Sequence, residues 1–141
     1  LKTAITAPVI IPSSLFLIIF ARDLNLMVLG EDSASSMGIS VKKSRLIFLL
    51  VSTIITASAV AVSGVIGFVG LIVPHAMRII TGPDHRTLLP YSMLGGAILL
   101  LVSDTIARTI IAPTEIPVGI VTSLLGAPFF LFLLNRMRNP K

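Results

Sequence analysis

The amino-acid sequence predicts an all-α fold, a polytopic helical membrane bundle with about five transmembrane segments, and three observations carry that reading. Apolar residues fill 55% of the 141 positions and charged residues only 12%, about half the charge of an ordinary soluble domain. The charges are clustered, which leaves uncharged runs at residues 3–21, 46–77, 87–103 and 116–135. A helix needs about 20 apolar residues to cross a hydrocarbon core about 30 Å thick. Nearly all the cations fall in three groups: Arg22 with Lys42, Lys43 and Arg45; Arg78 with Arg86; and Arg136, Arg138 and Lys141. Lys and Arg concentrate in cytoplasmic loops, so an even number of crossings must separate neighbouring groups.

The first span covers residues 3–21. It lacks the charged leader and small-residue cleavage site of a signal peptide, and a chain opening on Leu1 reads as starting within a longer protein. Residues 22–45 follow as the one long polar segment, a loop on the cytoplasmic side. The uncharged run at 46–77 is too long for one comfortable span and too short for two standard ones. Residues 46–63 cross at about 1.5 Å per residue, and the chain reverses at Gly64, Gly67 and Gly70, since glycine tolerates tight turns. The return leg, to about Ile80, is short and broken near Gly64–Pro74, because Pro74 interrupts helical hydrogen bonding. Irregular backbone survives at membrane depth only inside protein or beside water, so this leg is expected inside the bundle. The alternative, one long tilted helix, places the first two cation groups on opposite sides. A fourth span at 88–110, a connection holding Pro113, Glu115 and Pro117, and a fifth span at 118–134 bent at Pro128 complete the bundle.

Several function classes fall away on composition. With no cysteine, disulfide frameworks and thiolate metal sites are excluded. The net charge of +5 and a pI near 10.5 reflect loop cations rather than nucleic-acid binding, since no basic stripe is interleaved with aromatics. Gly38 to Ser44 looks superficially like a phosphate-binding loop, yet lacks the second glycine before its lysine and a preceding buried strand.

The candidate functional residues lie mostly in loops. Gly30-Glu31-Asp32-Ser33-Ala34-Ser35-Ser36-Met37-Gly38 reads as a helix of about two turns. Acidic residues suit its N-terminus and Gly38 sits where helices end. So short a helix is unstable alone and must be held by its own bundle or a partner's groove; an ordinary connecting turn is the competing reading. Asp104 and Arg108 stand four apart on one helix face and pair, either structurally or in substrate passage. Arg108 is expected to snorkel toward the outer surface. His75 and His85 lack convergent metal ligands; packing or loop hydrogen bonds account for them, and Asp84 caps a helix or pairs with Arg86. The small residues Gly95, Gly96 and Ala97, and Gly119, Ser123, Gly126 and Ala127, allow close helix approach in lipid.

Taken in order, these motifs resemble the membrane permease of ATP-binding-cassette importers for iron-siderophores, haem and cobalamin, and in particular its C-terminal half. Residues 30–38 look like the family's coupling-helix signature, with Met37 where leucine is more usual. The block Gly64-Val65-Ile66-Gly67-Phe68-Val69-Gly70-Leu71-Ile72-Val73-Pro74-His75 is similar to its most recognisable stretch. Asp84-His85-Arg86, Leu89-Pro90, Asp104, Ala107-Arg108, residues 115–119 and Gly126-Ala127-Pro128-Phe129 continue the series. The resemblance implies that residues 1–141 are the C-terminal part of a single permease domain of about ten spans, with a cytoplasmic coupling loop at about 22–45. It further implies a permease dimer, cytoplasmic ATPase subunits docked on the coupling loops, and an extracytoplasmic substrate-binding protein. The expected setting is the plasma membrane of a prokaryote, multi-pass, with the C-terminus cytoplasmic. Gly30, Glu31, Asp32, Ala34 and Gly38 are then the ATPase-coupling residues, with Arg78, Asp84, His85 and Arg86 as a second contact. No cofactor is expected on this chain, ATP and Mg belonging to the partner subunits. The competing readings are an intramembrane enzyme using His75 or Asp104, for which no catalytic constellation is evident, and a small secondary transporter, which usually shows paired repeat halves.

Overall fold

The computed structural model describes residues 2–110 and 116–138. Among these residues the chain is all-α, with seven helices in the order α1 (Lys2–Ile19), α2 (Ala21–Val28), α3 (Glu31–Ser36), α4 (Val41–Ser63), α5 (Val69–Thr81), α6 (His85–Thr109) and α7 (Val118–Arg138). Three helices, α4, α6 and α7, are long and apolar enough to cross a membrane. A fourth span results if α1 and α2, bent by 50° at their junction, count as one. The remaining segment, α5, is apolar and 13 residues long, the short leg expected after the glycine turn. The expected connection through Pro113 and Glu115, and the cation Lys141, lie outside the described residues.

Two stretches depart from the sequence expectation. Residues 21–28, assigned mostly to a polar loop, form α2. Ala21, Leu24 and Met27 recur every third position, enough for one apolar stripe, and Leu24 and Met27 share a cleft with Leu17 of α1 and Phe48 of α4. The break in the 46–77 run is also narrower than expected. It is confined to Gly64–Phe68, while Gly70 and Pro74 lie within α5. Pro74 removes a single donor, the one that would reach the Gly70 carbonyl, and the helix continues through that loss. The turn instead rests on two left-handed residues, Gly64 at φ 77° and Phe68 at φ 63°. The enclosure expected for α5 is one-sided, with Val73 buried and Leu71, Ile79 and Ile80 exposed. The last helix runs unbroken through Pro128.

The chain forms two compact units. The first comprises the residues up to Gly64 together with Pro83–Pro90. There α1 packs along α4, α2 touches α1 and α3, and α3 rests on α4. The second comprises Val65–Gly82 and the residues from Tyr91 onward, and in it α5 packs on α7.

Candidate functional site

The first unit holds the short helix α3 in a defined frame. Gly30 enters it at φ 111°, a region open to glycine, and its carbonyl accepts the Ala34 N–H at 3.1 Å. Glu31 and Asp32 occupy the first turn, where exposed amide groups favour negative charge. At the other end Gly38 turns at φ 83°. Its N–H donates to the Ser35 carbonyl at 3.0 Å and the Ile39 N–H donates to the Ala34 carbonyl at 3.1 Å. That pair of bonds around a left-handed glycine is a Schellman motif, which satisfies carbonyls left open at a helix end. Arg45 of α4 donates to Glu31 Oε1 at 2.7 Å, and Ala34 is 0% exposed. The six-residue helix therefore has a seat: a methyl pressed into the unit and a guanidinium holding its first turn. Glu31, Asp32, Ser33, Ser35 and Ser36 remain on the surface.

A second cluster in the same unit lies where α6 begins. Asp84 Oδ1 accepts the Arg86 N–H at 2.9 Å, the geometry of a helix N-cap, and Thr87 Oγ1 donates to the Asp84 carbonyl at 3.0 Å. The same Oδ1 receives Asn25 Nδ2 from α2 at 2.6 Å. Asn25 Oδ1 in turn accepts the His85 N–H at 2.8 Å and faces His85 Nδ1 at 2.7 Å. The amide orientation follows from these partners, because a reversed Asn25 would set its NH₂ against the His85 N–H. Since Oδ1 only accepts, Nδ1 of His85 carries the proton. The Asp84 carboxyl is held below its ordinary value, first by the Arg86 backbone N–H and next by the Asn25 amide. Asn25 was missed by sequence reasoning. Its only signal is a lone amide between Leu24 and Leu26, which becomes informative once 21–28 is seen to be helical.

The other predicted residues belong to the second unit. Arg78 is exposed in the last turn of α5, where a cation suits the helix C-terminus, and the Gly82 N–H closes that helix on the Arg78 carbonyl at 3.0 Å. Asp104 and Arg108 bond at 2.9 Å with side chains 41% and 60% exposed. They border a cleft of about 250 Å³ with Ile116, Pro117 and Val118. His75 Nδ1 meets the Leu71 carbonyl of its own helix at 3.1 Å. Around the glycine turn the small residues of α7 are tightly used. A Cβ on Gly119 would strike the Val65 carbonyl oxygen, one on Gly126 would overlap Phe68, and one on Gly67 would sit 2.9 Å from Ser123 Oγ. On α6, Gly95 admits Val73 and Met77, whereas nothing approaches Gly96. An apolar groove of about 710 Å³ runs beside this contact, lined in part by Val65, Gly119, Leu124 and Pro128.

Membrane-length helices joined through a small surface helix seated by Ala34 define the class: a polytopic helical membrane protein. The chain belongs to the FecCD transport family, which it matches over residues 2–136. It is 50% identical over 137 residues to the hemin transport system permease protein HmuU of Yersinia pestis, a match covering 97% of this chain and 41% of that protein. To the Fe(3+) dicitrate transport system permease protein FecD of Escherichia coli it is 51% identical over 119 residues, covering 84% and 37%. To the cobalamin import system permease protein BtuC of Halobacterium salinarum it is 50% identical, covering 91% and 34%. A solved structure of a metal-chelate type ABC transporter in an inward-facing conformation superposes with a TM-score of 0.89 at 37% identity, over 96% of this chain and 45% of that one. The chain thus spans less than half the length of each of these relatives.

Proposed function

We propose that this chain supplies the C-terminal part of the membrane permease of an ATP-binding-cassette importer for an iron chelate, haem or cobalamin, in the plasma membrane of a prokaryote. Separate ATPase subunits drive it on the cytoplasmic side, a second permease subunit completes the pathway, and an extracytoplasmic binding protein delivers the substrate. The observation that carries this reading is α3: a helix too short to persist alone, seated by Ala34 and by the Glu31–Arg45 bridge, with its polar side outward. Such an element passes a push from a docked partner to the helices beneath it. Closure of the ATPases on ATP moves α3, and the membrane helices rock between outward and inward openings. The likeness to permeases named for hemin, ferric dicitrate and cobalamin transport supports the substrate class. The coupling residues remain Gly30, Glu31, Asp32, Ala34 and Gly38, with Arg78, Asp84, His85 and Arg86 as the second contact. The two glycines and Ala34 shape and seat α3, and Glu31 and Asp32 face outward. Asp32→Arg in the full permease tests this, because it reverses charge on the outward face and leaves the seat intact. Loss of ATPase co-purification is expected. Undiminished co-purification together with full import sinks the assignment.

A further inference from the structure

We infer that Asn25 is the positioning residue that fixes the start of α6 to α2, so that displacement of the coupling loop reaches α6 as axial movement. The inference rests on the importer reading above and adds a residue that reading does not require. α2 and the first turn of α6 belong to the first unit, and the contact is made by one side chain with both of its polar atoms engaged. Nδ2 donates to Asp84 Oδ1 at 2.6 Å, and Oδ1 accepts the His85 N–H at 2.8 Å while facing His85 Nδ1 at 2.7 Å.

The first amide groups of a helix have no partner within it. Here Asp84 takes the Arg86 N–H, as an N-cap does, and the preceding N–H, that of His85, is taken by a residue about 60 positions earlier in the chain. The cap of α6 is thus completed by another helix. A local cap would stabilise α6 and leave it free to slide; a cap supplied across helices fixes its position as well. Because α6 is continuous from His85 to Thr109, whatever holds its first turn sets where its axis lies. Asn25 stands five residues before Gly30, and α2 touches α3 directly. The path from docking helix to span therefore runs α3, α2, Asn25, α6. The amide also suits this place chemically. It donates to a carboxylate through one atom and accepts from two N–H groups through another, a combination that no carboxylate or ammonium side chain offers.

The test uses the full permease with its ATPase and binding protein, reconstituted in liposomes, with substrate imported and ATP hydrolysed measured together. Asn25→Ala is expected to lower import per ATP about tenfold, equivalent to about 1.4 kcal/mol, while ATPase co-purification stays within about twofold. Asn25→Asp sets two carboxylates together and is expected to be at least as defective. Asn25→Gln keeps one donor and one acceptor at the contact, and its import per ATP should stay within about threefold of wild type. Unchanged import per ATP in Asn25→Ala overturns the inference. So does loss of ATPase binding in that variant, which would make Asn25 part of the docking surface instead. If Asn25→Ala does not accumulate as folded protein, import per ATP in Asn25→Gln as low as in Asn25→Asp decides against it. A wild-type chain that never binds an ATPase refutes the importer reading itself, a result distinct from all of these.

Discussion

Replacing Gly126 by alanine tests whether the glycine turn between α4 and α5 is clamped by α7. The added Cβ would overlap both Cβ and Cγ of Phe68. Rotating the phenyl ring relieves the Cγ overlap but not the Cβ overlap, since Cβ is fixed by the backbone. That backbone is itself committed: Phe68 sits at φ 63°, a left-handed conformation that costs a residue with a side chain about 1–3 kcal/mol and persists only where its surroundings demand it. Its carbonyl also accepts the N–H groups of Leu71 and Ile72, both at 2.9 Å, which start α5. The extra methyl must therefore push α7 away or unwind the first turn of α5, and overpacking of this kind costs about 1–3 kcal/mol. The expected destabilisation is about 2 kcal/mol, measured by unfolding the full permease in detergent. Phe68→Gly removes the obstructing atoms and accepts the positive φ without strain. In that background Gly126→Ala should cost less than about 0.5 kcal/mol, a coupling within the range for residues in direct contact. If Gly126→Ala is as stable as wild type, or equally harmful in both backgrounds, the clamp does not exist.

Three further outcomes follow from the same geometry. Gly119→Ala drives a methyl into the Val65 carbonyl oxygen, a backbone atom, whereas Gly67→Ala meets only Ser123 Oγ at 2.9 Å, which can rotate. Thermal unfolding should therefore rank Gly119→Ala well below Gly67→Ala, and the reverse order refutes the contact. Arg45→Ala breaks a bridge whose side chains are both more than half exposed. It should cost no more than about 1 kcal/mol, and the difference should shrink in 1 M salt, where the Debye length is about 3 Å; a salt-independent loss would show that packing, not charge, was removed. The Asp84 carboxyl has a folded pKa below its ordinary 3.8. Its contribution is complete above that ordinary value and is lost as pH falls through the lower folded one. Protease resistance of the segment around Gly82 measured from about pH 5 to about pH 2 should show an acid-side loss that is weaker in Asp84→Asn, and identical profiles would count against the cap.

The membrane class, the helical spans and the short α3 were legible because each rests on a local signal. Uncharged runs bounded by cations announce spans, and Gly30 and Gly38 bracket a turn of helix whose left-handed ends only glycine adopts easily. Where the expectation erred, a nonlocal contact decided. Charges at Arg22 and Asp23 made 22–29 read as loop, and only packing of Leu24 and Met27 toward α1 and α4 makes it a helix. The glycine turn lies where the sequence places it, but Pro74 extends the expected break on propensity grounds; the break ends at Phe68, where Gly119 and Gly126 of α7 let Val65 and Phe68 come close. Asn25 is silent in sequence because its two partners, Asp84 and His85, lie about 60 positions away.

The distribution of buried residues explains why these contacts take the form they do. Side chains removed from solvent are mostly small: Ala21, Ala34, Ser103, Ala107 and Thr122 are each within 1% of complete burial. The large apolar ones face outward, with Ile98 63%, Leu101 69% and Leu124 75% exposed. In water that arrangement would be unstable, since about 25 cal/mol is lost for each Å² of apolar surface left exposed. In lipid, leucine gains nothing by choosing protein over hydrocarbon, and helices are held by close approach and by polar bonds. Glycine and alanine provide the approach along α7 and α6. The polar bonds gather at the helix ends, in the Glu31–Arg45 bridge and the Asn25–Asp84–His85 cluster, where directional contacts specify position as apolar contacts cannot. The importer proposed above would have to move helices in lipid without separating them, and that division suits it: small-residue faces would let helices slide, and the few polar links would decide which travel together.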